Sequence, residues 1–321
     1  MSEKALVFHI GLHQTATAFF QEEIFTQLDS WNYMDRSFIQ HNFEFNKLQF
    51  EDQTIYQSDA VKTLIEKIPG SRLLFSSEDL TGHPYVSAIN RAVIAQRLAE
   101  LSENTQIILF LRGQEDMLLS HFHNFVLGYA KSFQRVDEFV WKPQMNFTYE
   151  MYKEGIMPST STLYYNTAWF NVNINNFKYY ELISYYKGLF GDRLHIFLYE
   201  DFYTYPETVF TRLGEILLEE IPYEIQQKAF KLIDPADLNK QTIHKKRLIN
   251  RVTAGSSNKY FNKLSEKAVD LALSAVQDNS HDHNQHYIEK LVNEYYKENN
   301  RKVIAAYPEI GLDRFPNQYK V

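Results

Sequence analysis

Cysteine is absent from all 321 residues, which excludes a disulfide framework, a thiolate zinc site and a cysteine nucleophile. No uninterrupted apolar run approaches the ~18 residues of a membrane-spanning helix, so no span is expected. Positive charge is in deficit: 33 Lys and Arg stand against 40 Asp and Glu, a formal net charge of −7. Such a field argues against broad nucleic-acid binding and leaves room only for a local basic pocket. An anionic ligand must be met by a few placed cations. The start Met-Ser-Glu-Lys runs straight into an apolar segment without a leader-like pattern, so a cytoplasmic protein is expected.

Core-forming residues are plentiful, at 44% hydrophobic and 15% aromatic, enough for one large domain over residues 1–321. Ala5 to Ile10, Arg72 to Ser77, Gln106 to Leu111 and Leu194 to Tyr199 are apolar runs of the length of buried strands. Helical patterns lie between and after them: Ser87 to Leu101, Glu115 to Leu127, Tyr179 to Phe190, Pro206 to Leu218 and, near the end, Tyr287 to Ala305. Strands separated by helices predict an α/β fold with a parallel sheet, whose ligands bind at the carboxyl ends of the strands. Residues 131–176, rich in Tyr, Phe, Trp and Asn with Pro143 and Pro158, read as an insertion, either a lid or an aromatic subdomain that only packs on the body. The Asn/His-rich Asp278 to Gln285 reads as a surface loop.

The first apolar run leads through Gly11-Leu12-His13-Gln14-Thr15-Ala16-Thr17-Ala18 into a helix start, with Thr15 and Thr17 able to cap it. Amides at such a start lack intrahelical acceptors and favour an anion in front of them. The loop is not the nucleoside-triphosphatase pattern, because no Gly-Lys followed by Ser or Thr occurs in it. A bland strand-turn-helix and a phosphate cradle both fit it. Arg112, just after the run Gln106 to Leu111, and Ser120, eight residues on, offer a guanidinium fork and a hydroxyl for a second phosphate. Structural ion pairing is the alternative for Arg112.

Together these segments resemble the sulfotransferases that use 3′-phosphoadenosine 5′-phosphosulfate (PAPS). The loop Gly11 to Ala18 is similar to the family signature Gly-x-x-Lys-[Thr/Ser]-[Gly/Ala]-Thr-[Thr/Ser], and Arg112, Asp116 and Ser120 follow its second signature. Ser76-Ser77-Glu78-Asp79 resembles the strand end that carries the general base in bacterial and carbohydrate-directed members. Weaker likenesses are Phe190 to Arg193 with Tyr199 to Phe202, Asn239-Lys240 with the basic stretch from His244, and Tyr296 to Arg301. The resemblance implies a P-loop-like three-layer α/β/α domain with a mostly helical, aromatic-rich insertion. It implies transfer of a sulfuryl group from PAPS to a hydroxyl of a small molecule or saccharide, leaving 3′,5′-diphosphoadenosine (PAP), with no metal. Gly11, His13, Gln14, Thr15, Ala16, Thr17 and Ala18 would then hold the 5′-phosphate. Arg112 and Ser120 would hold the 3′-phosphate, joined by Lys245 and Arg247 unless that stretch is only a solvated helix face. Glu78 would be the base, its pKa raised by burial; the bland alternative is a helix cap supplied by Glu78, Asp79 or Thr81. Tyr129, Trp141, Tyr164, Tyr165 and Trp169 could wall the acceptor.

The loop departs from the family pattern in two places. Gln14 stands at the lysine position, where it brings a donor without charge; it is tolerated with His13 or another basic residue supplying charge, marks a weak or non-catalytic nucleotide binder, or is a trapping substitution. Ala16 stands at a Gly/Ala position, a mild change if its φ is negative. The histidine pairs do not read as a metal site, since His121 and His123, two apart, leave a helix on different faces.

Overall fold

The computed structural model describes residues 4–82, 90–128, 140–141, 172–232 and 280–321. Five strands form one sheet: β1 (Ala5–His9), β2 (Asn32–Met34), β3 (Arg72–Ser76), β4 (Gln106–Leu111) and, beyond the short pair β5 (Val140–Trp141) and β6 (Val172–Asn173), β7 (Leu194–Leu198). The order is β2-β3-β1-β4-β7, every neighbouring pair parallel, and β5 pairs with β6 in a separate two-stranded sheet.

The central strands are continuous apolar runs because both of their faces are covered. Leu6, Phe8, Leu73, Phe75, Ile107 and Leu109 pack on one side with Ile94 and Leu98 of the helix Arg91–Ala99 and Ile183 and Tyr186 of Tyr179–Phe190. Val7, Leu74, Ile108 and Phe110 pack on the other with Phe20, Trp31, Phe202 and, from the helix Pro206–Leu217, Phe210 and Leu213. The result is the expected α/β/α layering. Phe8 lies opposite Phe75 in the register and stacks on it with ring centroids 4.8 Å apart. Each fully buried ring of this kind contributes about 2–3 kcal/mol of transfer free energy.

All four strands expected from the sequence are in place, and Tyr179–Phe190 matches its expected helix residue for residue. The other expected helices appear as Arg91–Ala99, Gln114–Gly128 and Pro206–Leu217. Three expectations need correction. The fifth strand, β2, was not anticipated: it is three residues of edge strand, Asn32, Tyr33 and Met34, only the last of them buried. The pattern Tyr287 to Ala305 is two helices, Ser280–Tyr295 and Lys297–Ala306, broken at Tyr296, whose ring is buried and whose hydroxyl donates to the Ile174 carbonyl at 2.6 Å. Residues 280 to 285 therefore begin a helix and are not loop. Of the insertion 131–176, only 140–141 and 172–176 belong to the described residues; Lys245 and Arg247 lie outside them.

Candidate functional site

β1 sits at the switch point of the sheet, with β3 on one side and β4 on the other, where α/β folds bind ligands. Beyond β1 the chain stays tied to both neighbours: Ile10 N donates to Ile108 O at 3.0 Å, Leu12 N to Phe110 O at 3.4 Å, and Ser77 N to His9 O at 3.1 Å. Gly11 then lets the loop close, since a Cβ there would sit 3.0 Å from Thr17 Oγ1. Gln14 and Ala16 adopt φ of 71° and 61°. Left-handed residues in a short loop turn successive amides toward one side, the geometry of an anion nest. The condition under which Ala16 is a mild change, a negative φ, is thus not met, and its Cβ is strained where glycine would not be.

The threonines do not cap. Thr15 Oγ1 donates back to Leu12 O at 2.5 Å, and Ala16, at the N-cap, makes no side-chain cap bond. Thr17 Oγ1 is buried with no hydrogen-bond partner among the described residues. The helix that follows has only Thr17–Phe19 in α geometry before a π turn, Phe20–Ile24, and a 3-10 turn, Phe25–Gln27. The widened turn seats Phe20 against Phe110, Phe202 and His9, with ring centroids 4.5, 5.2 and 5.6 Å away. His9 is fully buried, hydrogen-bonded through Nδ1 to Ser76 Oγ at 2.7 Å. Burial pushes its pKa down to about 3, so the ring is neutral.

Gln14, Arg112 and Ser120 meet. Arg112 Nη1 donates to the Gln14 carbonyl at 2.8 Å, and Ser120 Oγ donates to Gln14 Oε1 at 2.9 Å. The Arg112 guanidinium lies over the Tyr199 ring, 4.4 Å from its centroid, and its buried Nε has no partner among the described residues. Its main chain is held from behind. Tyr179 OH donates to Arg112 O at 2.5 Å, and the next amide, Gly113 N, donates to Glu200 Oε1 at 2.7 Å. Tyr319 OH donates to the other Glu200 oxygen at 2.7 Å. Burial raises the Glu200 carboxyl, opposed by Gly113, Tyr319 and Arg112. Asp116, the middle residue of the second signature, is exposed.

At the end of β3, the cap of the turn Glu78–Thr81 is Ser77, whose Oγ accepts from Asp79 N at 3.3 Å. Neither Glu78, Asp79 nor Thr81 takes that part. Glu78 Oε1 accepts from Arg36 Nη1 at 2.8 Å, and Oε2 from Gln21 Nε2 at 3.5 Å. Asp79 accepts from Arg36 Nε at 3.2 Å and Gln40 Nε2 at 2.9 Å, and pairs with His13 Nε2 at 3.3 Å. Burial would raise the Asp79 carboxyl; His13, Arg36 and Gln40 outweigh it and hold it well below the usual carboxylate range. Thr81 Oγ1 donates to Gly11 O at 3.1 Å, joining this turn to the β1 loop. Arg36, Gln40 and Gln21 were not singled out by motif, whereas Tyr199 opens the Tyr199 to Phe202 likeness. Only Asp35, capping the helix Arg36–His41 by accepting from Phe38 N at 2.8 Å, left a trace of how Arg36 is placed.

His121 is buried, with its ring 6.3 Å from that of His13. The side chain of His123 lies outside the described residues. Among the described residues no three His, Asp or Glu side chains gather as a metal site would require, and no helix is long and apolar enough to cross a membrane.

No family model and no curated protein matches the chain. Solved structures of similar outline include a sulfotransferase from Alicyclobacillus acidocaldarius, with a TM-score of 0.44 at 14% identity, covering 86% of this chain and 98% of that one. A mouse sulfotransferase complexed with PAP gives 0.39 at 9% identity, over 94% and 90% of the two chains. A retinol dehydratase in complex with androsterone and inactive cofactor PAP gives 0.34 at 12% identity, over 87% and 83%.

Proposed function

We propose that the chain binds PAPS and transfers its sulfuryl group to an acceptor hydroxyl. The observation that carries this reading is the junction of Gln14, Arg112 and Ser120, which joins the β1 loop to the two groups suited to a second phosphate. Two buried polar atoms there, Thr17 Oγ1 and Arg112 Nε, have no hydrogen-bond partner among the described residues. A ligand phosphate would satisfy such atoms, which otherwise cost free energy.

In this reading the amides of Thr15 to Ala18 and the Thr17 hydroxyl take the 5′-phosphate, and Arg112 and Ser120 the 3′-phosphate, with Lys245 and Arg247 as further cations. The acceptor oxygen attacks sulfur, the bond from sulfur to the 5′-phosphate oxygen breaks, and Glu78 takes the acceptor proton. Arg36, bonded to Glu78, sets the direction of that carboxylate. Residues 131–176 belong to the acceptor side of the same single domain, and their aromatic side chains suit a saccharide or another small molecule. A second reading, a PAP binder with weak turnover, is favoured by one observation: the side chain at the lysine position is an uncharged amide engaged by Ser120.

Calorimetry with PAP and with adenosine 5′-phosphate tests the nucleotide assignment. PAP is expected to bind about tenfold or more tighter, one charge-assisted contact pair; equal affinities overturn the 3′-phosphate site. Release of labelled sulfate onto a panel of saccharide and phenolic acceptors, without added magnesium, separates transferase from binder.

A further inference from the structure

We infer that Gln21 is a positioning residue of the transfer reaction: its amide holds Glu78 Oε2, the oxygen left to take the acceptor's proton, in fixed relation to the loop that receives the 5′-phosphate. The inference rests on the PAPS reading and deepens it.

The two oxygens of Glu78 are not equivalent. Oε1 accepts from Arg36 Nη1 at 2.8 Å, and the same guanidinium reaches Asp79 at 3.1 Å, so this oxygen is engaged in a charge-assisted pair. Oε2 meets only Gln21 Nε2 among the described residues, at 3.5 Å. A contact of that length turns the carboxylate and leaves a lone pair on Oε2 for an incoming hydroxyl. Only 13% of the Glu78 side chain is exposed, so these two partners, and not bulk water, set its rotation.

The amide is itself anchored. Gln21 Nε2 donates to Ser76 Oγ at 3.1 Å and reaches Ser76 O at 3.3 Å. A carbonyl and a carboxylate accept and do not donate, which fixes the nitrogen end of the amide toward β3. Ser76 is fully buried, and its Oγ lies 2.7 Å from Nδ1 of His9, the buried residue opposite it in β1. Gln21 therefore rests on the two central strands as well as on the base.

The backbone of Gln21 supplies the other half of the relation. It belongs to the π turn Phe20–Ile24, four residues beyond Thr17, whose buried Oγ1 is a candidate ligand of the 5′-phosphate. Widened turns of this kind are frequent at functional sites. One residue thus joins the base carboxylate to the start of the helix behind the phosphate loop. In-line transfer needs acceptor oxygen, sulfur and leaving oxygen in one line, and a misplacement of about 1 Å costs about a hundredfold in rate.

The test is steady-state sulfuryl transfer by the full chain, by Gln21→Met, which removes the donor at similar volume, and by Gln21→Lys, which restores one. In Gln21→Met, kcat should fall about tenfold or more, while KM for the acceptor and PAP affinity by calorimetry stay within about twofold. Gln21→Lys should recover most of kcat. In a Glu78→Gln background the Gln21→Met change should alter kcat by less than about twofold, since the group it positions is gone. An unchanged kcat in Gln21→Met, a loss confined to PAP affinity as a purely structural tie would give, or an undiminished loss in the Glu78→Gln background overturns the inference. Should Gln21→Met not fold, Gln21→Glu, which keeps the shape and sets an acceptor against acceptors, decides by the same readings. Absence of transfer by the full chain on every acceptor overturns the transferase reading instead, and the inference falls with it.

Discussion

Ser120 Oγ rests 2.9 Å from Gln14 Oε1, a bond between residues 106 apart in sequence that joins the loop after β1 to the helix after β4. With the Arg112 bond to the Gln14 carbonyl it makes Gln14 the hinge pin of the two candidate phosphate positions. Ser120→Ala frees the Gln14 amide and, in the proposed function, removes a 3′-phosphate contact. PAP affinity should fall about tenfold, and affinity for adenosine 5′-phosphate less than twofold, both by calorimetry.

The left-handed backbone at Ala16 gives a stability test. Ala16→Gly relieves about 1–2 kcal/mol of strain and returns part of it as unfolded-state entropy, for a net gain of up to about 1 kcal/mol. In a chain of this size that is about 2 °C in Tm by calorimetric scanning. Gly11→Ala should act in the opposite direction by a similar amount, because its Cβ would press on Thr17 Oγ1 at 3.0 Å.

His9 ties stability to pH. Its pKa is about 3 in the fold and near 6.5 in the open chain. Below pH 6.5 the unfolded chain therefore binds a proton that the native chain refuses. The stability that the neutral ring contributes is complete above that pH and is lost as pH falls toward 3, by about 1.4 kcal/mol per unit. Denaturant titrations from pH 7 to pH 4 should show this slope, and His9→Asn should lack that share of it.

Tyr319 and Glu200 offer a test of support at a distance. Tyr319→Phe removes the donor to one buried carboxylate oxygen and should cost about 2 kcal/mol in urea unfolding. Because the other oxygen holds Gly113 N beside Arg112, PAP affinity should fall more than affinity for adenosine 5′-phosphate. Equal losses would limit Tyr319 to a packing role.

The central strands were legible because burial on both faces leaves an uninterrupted apolar record, as in Leu73-Leu74-Phe75 and Ile107 to Leu111. β2 left no such record: an edge strand of three residues with half-buried Asn32 and Tyr33 carries neither a run nor an alternation. The residues Gly11, Gln14, Arg112 and Glu78 could be picked out because each lies within about five residues of a strand end, and Ser120 by its spacing of eight from Arg112. Their partners could not. Arg36 and Gln40 come from a helix about forty residues upstream; Arg36 reaches Glu78 and Gln40 reaches Asp79 through the pairing of β2 with β3, which no local pattern encodes. The same holds for the loop: strand-loop-helix was readable, but the positive φ of Gln14 and Ala16 and the π turn that carries Phe20 onto Phe110 leave no local pattern.

The strand order has a consequence for the chain while it is being made. β1 is synthesised first yet occupies the middle of the sheet, its edges closed by β3 and then by β4. Until the ribosome has released Leu111, the loop that follows β1 has no wall on one side and neither Arg112 nor Ser120 to fasten Gln14. The first strand to be made is thus open on one edge through about a hundred residues of synthesis, at least several seconds at cellular rates. In the proposed site, a nucleotide added to nascent chains would bind only after the helix bearing Ser120 had cleared the exit tunnel, so the ligand would separate chains that have passed that point from every shorter one.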